Sequence, residues 1–98
     1  MEPAAWETDR IVVLRSTGWS FIRIAHVMGY DDIGQAERGF LVGLRQRSSA
    51  EQSRLRYQEL RRLEQQTQAL EDRTDLDPAQ RLRGITRLDQ LRAALIQR

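Results

Sequence analysis

The 98-residue chain has no cysteine and no lysine, a single histidine, two prolines, and two each of tryptophan, tyrosine and phenylalanine. Without cysteine there is no disulfide, no thiolate nucleophile and no structural zinc site of the usual kind. The lone His26 cannot build a multi-histidine metal centre or serve a thiol in a catalytic pair. No run approaches the roughly 20 apolar residues that a membrane span requires. The opening MEPAAWETDR lacks the basic start and apolar core of a secretory signal, so a cytoplasmic protein is expected. No glycine-rich phosphate loop is visible, and the carboxylates show no acid/base partner arrangement. No catalytic residue, metal ligand or cofactor is assigned, and a non-enzymatic role is expected.

What is present is arginine. All 16 basic residues are arginine, set against 14 acidic ones for a net charge of +2, so the chain is no histone-like polycation. A GC-rich coding sequence accounts for the missing lysine without selection for guanidinium chemistry, although arginine does suit bidentate phosphate contact. The distribution says more than the total. Arginines 45, 47, 54, 56, 61 and 62 face only Glu51 and Glu59 in their stretch, whereas Glu71, Asp72, Asp75 and Asp77 surround Arg73. Residues 78–98 are basic again. Taken one at a time, most of these charges belong to solvated helical faces.

Residues 6–44 carry the pattern of a helix-turn-helix unit. A first helix is expected over Ala4 to Ser16, with Pro3 at or before its start, Trp6, Arg10, Val13 and Leu14 along one face, and Thr17–Gly18 ending it. A second is expected over Phe21 to Met28, capped by Ser20 and stopped by Gly29, with Ile24, Ala25 and Met28 on one face. A small residue at Ala25 lets the next helix cross closely. The third helix is expected to begin after Asp31 or Asp32, either of which can cap it, and to continue through Ala36, Phe40, Leu41 and Leu44. Gly34, Gly39 and Gly43 each weaken this helix by about 1 kcal/mol relative to alanine, which points to close packing or malleability there, with close packing favoured for Gly39 and Gly43.

Ser48 with Glu51 forms a capping-box pattern, so a fourth helix is expected from Ser49 to about Arg73, with Leu60, Leu63, Thr67 and Leu70 as a narrow seam. Glu51 with Arg54 and Glu59 with Arg62 are expected as i,i+3 pairs on its exposed sides. Asp77–Pro78 then punctuates the chain and starts a last helix carrying Leu82, Ile85, Leu88, Leu91, Leu95 and Ile96. A connection this short folds the two helices back as an antiparallel hairpin. The expectation is an all-α chain: a helix-turn-helix domain over residues 1–47 and a hairpin over 48–98 that oligomerises through Leu60, Leu63, Leu70, Leu88 and Leu91.

The third helix would present Gln35, Glu37 and Arg38 to base edges, where glutamine reads adenine, glutamate accepts from cytosine and arginine takes guanine or phosphate. Arg45, Arg47 and Arg54 would meet phosphates. Asp31 and Asp32 are read as caps, Trp6 and Trp19 as packing residues, Tyr30 as a core or phosphate-contact residue, and His26 as a surface histidine. The partner read from these residues is double-stranded DNA. A helix-turn-helix also occurs in modules that bind only protein, which keeps an adaptor role open.

The run DRIVVLRSTGWSFIRIAHVMGY, then a short recognition helix with Ala36 and Arg38, a polar helix containing ELRRLEQQTQAL, a DP break and RLRGITRLDQLRAAL, resembles the small terminase subunits of tailed bacteriophages and related prophage proteins. The resemblance covers nearly the whole chain. It rests on the order of an L-R-x-x-G-x-S-x-x-x-I-A-x-x-M-G-Y module, a leucine-containing helix and a second helix after a short break. It implies that the first module binds the phage genome at the packaging start site in the bacterial host cell. It also implies a hairpin that assembles a ring, and a large terminase subunit, holder of the ATPase and nuclease, as partner. The alternative is a small phage or prophage transcription regulator, dimeric through the hairpin.

Overall fold

The computed structural model describes residues 4–96, and within them the chain is all-helical, without a strand. Its five helices are α1 (Ala5–Ser16), α2 (Phe21–Met28), α3 (Ile33–Arg45), α4 (Ser49–Glu71) and α5 (Pro78–Ile96). Pro3, expected beside the start of α1, lies outside the described residues. The chain divides into two compact units between Leu55 and Arg56.

The first unit is closed by its turns. Gly18 takes φ 106° after α1, and the Trp19 amide donates to the Leu14 carbonyl at 3.1 Å, so the helix ends in a reversed, satisfied turn. The Ser20 side chain then accepts from the Arg23 amide and starts α2. Gly29, at φ 74°, stops α2 in the left-handed conformation while the Tyr30 amide donates to the Ala25 carbonyl at 2.9 Å. Three residues later Asp32 caps α3 in a complete capping box with Gln35.

α1 and α3 pack so closely that α3 has no room for side chains at two positions. A β-carbon on Gly39 would stand 2.5 Å from Ile11 Cδ1, and one on Gly43 would stand 2.6 Å from the Thr8 carbonyl oxygen. Both glycines thus hold the close packing that their cost to the helix implied. Ile11, Val12, Phe21, Ile24, Ala25, Ala36, Phe40, Leu44 and Leu55 are buried. Phe21 and Phe40 meet edge to face at 5.7 Å.

The buried face of α1 is not the one its large apolar residues mark out. Thr8, Ile11, Val12 and Arg15 face inward, whereas Trp6 is 65% exposed and Val13 47% exposed. The inward polar groups are satisfied where they sit. Thr8 Oγ1 donates to the Ala5 carbonyl at 3.0 Å and lies 3.2 Å from Gln46 Oε1. Arg15 Nη1 donates to the Trp19 carbonyl, and its guanidinium covers the Phe21 ring at 4.1 Å. Polar side chains with such partners can occupy core positions that a simple apolar count assigns elsewhere.

The unit boundary falls inside α4, eight residues beyond the 47/48 division expected from composition. Gln52 Nε2 donates to the Arg45 and Arg47 carbonyls, and Leu55 is buried, so the start of α4 belongs with the first three helices. α4 ends at Glu71 rather than Arg73. Glu51 pairs with Arg47 instead of Arg54, since the i−4 arginine at the preceding turn reaches it at 3.3 Å.

In the second unit α5 returns alongside α4. Arg56 Nε donates to the Leu95 carbonyl at 2.7 Å near one end, and a β-carbon on Gly84 would stand 2.9 Å from Leu70 Cδ1 near the other. Arg81 secures the connection by donating to the Arg73 carbonyl at 2.7 Å, and Asp77 caps α5 by accepting from the Gln80 amide. Leu63, Leu91 and Leu95 are buried; Leu60, Leu70, Ile85 and Leu88 are half-buried. Leu82 and Ile96, expected on the apolar stripe, are exposed. The Glu59–Arg62 pair forms at 3.6 Å, but Glu59 is 1% exposed rather than on an outer side.

Candidate nucleic-acid interface

α3 carries Gln35, Glu37, Arg38 and Arg45, whereas Arg47 follows it and Arg54 lies on α4. Arg38 and Arg45 are both exposed and are seven residues apart, which is about two helical turns and roughly 10 Å along one side of the helix. Neither forms an ion pair among the described residues. The rear of α3 is fixed by Ala36, Gly39, Phe40, Gly43 and Leu44 against α1 and α2, so the outward side of the helix is carried on a rigid support.

Gln35 has a local task. Its Oε1 accepts from the Asp31 amide at 2.8 Å and the Asp32 amide at 3.3 Å, completing the cap of α3. A bidentate contact to adenine needs that same oxygen as acceptor, so the cap and such a contact compete. Asp32 Oδ1 accepts from the Gln35 amide at 2.9 Å, which identifies Asp32 rather than Asp31 as the capping carboxylate. Glu37 is half-buried next to Arg38 and engages in an interaction of its own.

Arg47 does not join the Arg38–Arg45 side. Its Nη2 donates to Asp9 Oδ1 at 2.5 Å and its Nη1 to Glu51 Oε2 at 3.3 Å, so the guanidinium ties α1 to the start of α4 and is neutralised within the protein. Arg54, on α4, is exposed and without an ion pair among the described residues.

Arg23 is an exposed cation that sequence reading passed over. It lies on α2 with its guanidinium 3.9 Å from the centre of the Trp19 ring, which gives Trp19 a cation–π partner as well as its partial burial. The signal that could have found it is the i,i+4 spacing of an aromatic and an arginine across the start of a short capped helix. His26 is exposed, as expected. Tyr30 donates its hydroxyl to Glu7 Oε2 at 3.1 Å and locks the turn before α3 onto α1. Burial, followed by the hydrogen bond and the charge of Glu7, raises the phenol above its ordinary pKa.

The five leucines expected to mediate assembly divide into two kinds. Leu63 and Leu91 are already buried within the chain, whereas Leu60, Leu70 and Leu88 are half-buried. Leu82 and Tyr57, which were not assigned that role, are together with Ile96 the large hydrophobic side chains exposed in the second unit among the described residues. No helix among the described residues is long and apolar enough to cross a membrane. Among known proteins, no family model, no curated sequence and no solved structure matches this chain.

Proposed function

We propose that the chain is a non-catalytic, duplex DNA-binding protein in which α1–α3 form a helix-turn-helix unit and α4–α5 form an antiparallel hairpin that assembles copies of the chain. The observation that carries the reading is the pair of unneutralised arginines, Arg38 and Arg45, on the outward side of a helix whose entry turn runs from Gly29 to Asp32. A helix held in this way can enter a major groove, and its guanidiniums can meet phosphates and a guanine edge.

The role that fits the order of the parts is recognition of a packaging start site by a phage or prophage terminase small subunit, which would hand DNA to the large subunit. A transcription regulator is the second reading, and a helix-turn-helix with a dimerising hairpin supports it equally well at the level of DNA contact. Native mass determination of the full chain, with and without duplex DNA, separates the two. A closed assembly of many subunits supports packaging; a dimer supports regulation. A monomer that never binds DNA contradicts both and favours a protein-binding adaptor.

A further inference from the structure

Gly34, Arg38 and Asp32 share one corner of α3. A β-carbon on Gly34 would stand 3.0 Å from Arg38 Nη1 and 3.1 Å from Asp32 Oδ1. The Arg38 guanidinium therefore lies back along the first turns of its own helix, over a bare Cα. Asp32 flanks the same position, but its carboxylate accepts from the Gln35 amide and forms no ion pair with Arg38.

The glycine is not explained by backbone or core. Positive φ occurs only at Gly18 and Gly29 among the described glycines, and the three heavy atoms nearest the space a β-carbon would take at Gly34 all belong to Arg38 and Asp32. Gly39 and Gly43 answer to close helix packing; Gly34 answers only to the ends of Arg38 and Asp32. Alanine is the better helix former at an ordinary helical position, so the helix is weakened here while Arg38 keeps its path.

We infer that Gly34 is a positioning residue for Arg38, holding its guanidinium where it can take the O6 and N7 acceptors of a guanine in the major groove. The inference rests on the DNA-binding reading above and deepens it. Arg38 is the lone arginine in the first two turns of α3, and the Gln35 acceptor is occupied by the cap. A fork of two N–H donors reads guanine only when it arrives in plane, so a β-carbon that displaces Nη1 disturbs recognition more than charge.

The test uses the full chain and a duplex selected by it from a random pool. Guanines in that duplex are then replaced one at a time by 7-deazaguanine, which removes the N7 acceptor and keeps base pairing. Wild type should lose about tenfold or more in affinity at one guanine. Arg38→Ala and Gly34→Ala should each bind the parent and that substituted duplex with nearly equal affinity, and Gly34→Ala should keep the wild-type salt dependence and helicity. In the Arg38→Ala background, adding Gly34→Ala should change nothing further. Gly34→Ala that still senses the missing N7 as wild type does would overturn the positioning role. Selection of no preferred sequence, with salt-dependent binding intact, would overturn the inference and leave the DNA-binding reading standing. No duplex binding at low salt would remove both.

Discussion

The Thr8 carbonyl oxygen lies 2.6 Å from the place a β-carbon on Gly43 would occupy, and Val12 Cγ2 lies 2.7 Å from it. A backbone carbonyl inside a helix cannot swing aside, so α1 and α3 must separate to admit alanine. Gly43→Ala should therefore destabilise the first unit by about 1–3 kcal/mol, overriding the gain in helix propensity. Gly39→Ala should cost less, because Ile11 Cδ1 is the end of a rotatable side chain. Denaturant titrations of both variants check the order; equal or raised stability for Gly43→Ala would mean that α1 and α3 do not approach as described.

Gly29 requires its positive φ but not empty space, since nothing lies within 4 Å of a β-carbon built there. Gly29→Asn should be mild, whereas Gly29→Val should cost about 1–2 kcal/mol or more, because β-branched residues avoid the left-handed region. Thermal melts that rank Val equal to Asn would contradict the conformational origin of the requirement.

Asp75 is held at a pKa of about 2 by hydrogen bonding to Arg73, below its ordinary value of 3.8. Because the folded pKa is the lower one, the stabilisation is present above pH 3.8 and is lost as pH falls from there toward 2. The pair is exposed, so the effect on global stability is small. Carboxyl chemical shifts followed through acid should place the Asp75 midpoint near 2, and Arg73→Gln should return it toward 3.8. A midpoint unmoved by that substitution would exclude Arg73 as the cause.

Assembly through the second unit should depend on apolar groups that the single chain leaves open. Leu82 is 65% exposed, so Leu82→Asp should preserve helicity while lowering the particle mass seen by light scattering. Leu63→Asp and Leu91→Asp should instead unfold the pairing of α4 with α5, because both side chains are buried within it. Unchanged mass for Leu82→Asp and for Leu88→Asp would contradict assembly through this face.

Local punctuation made much of the fold legible in the sequence. Ser20, Gly29, Asp32, Ser48 and the Asp77–Pro78 pair mark helix ends by chemistry that acts within a few residues, and the helices begin or end there. The inward face of α1 was not legible, since Thr8 and Arg15 are buried through partners at Gln46 and Phe21 that only the folded chain brings near. At the candidate interface Arg38 and Arg45 could be placed by helical spacing alone. Arg47 could not, because its partner Asp9 stands 38 positions away in sequence.

Contact between duplex DNA and the Arg38–Arg45 side of α3 is tested most directly by equilibrium titration of the full chain against duplex DNA at several salt concentrations. Wild type should bind with a steep salt dependence. Arg45→Ala should weaken binding to every sequence and make the slope shallower by about one unit, whereas Arg47→Ala, whose charge is already matched by Asp9 and Glu51, should leave the slope nearly unchanged. Equal affinities and slopes for wild type, Arg38→Ala and Arg45→Ala would contradict that contact and take this side of α3 out of any DNA-binding site.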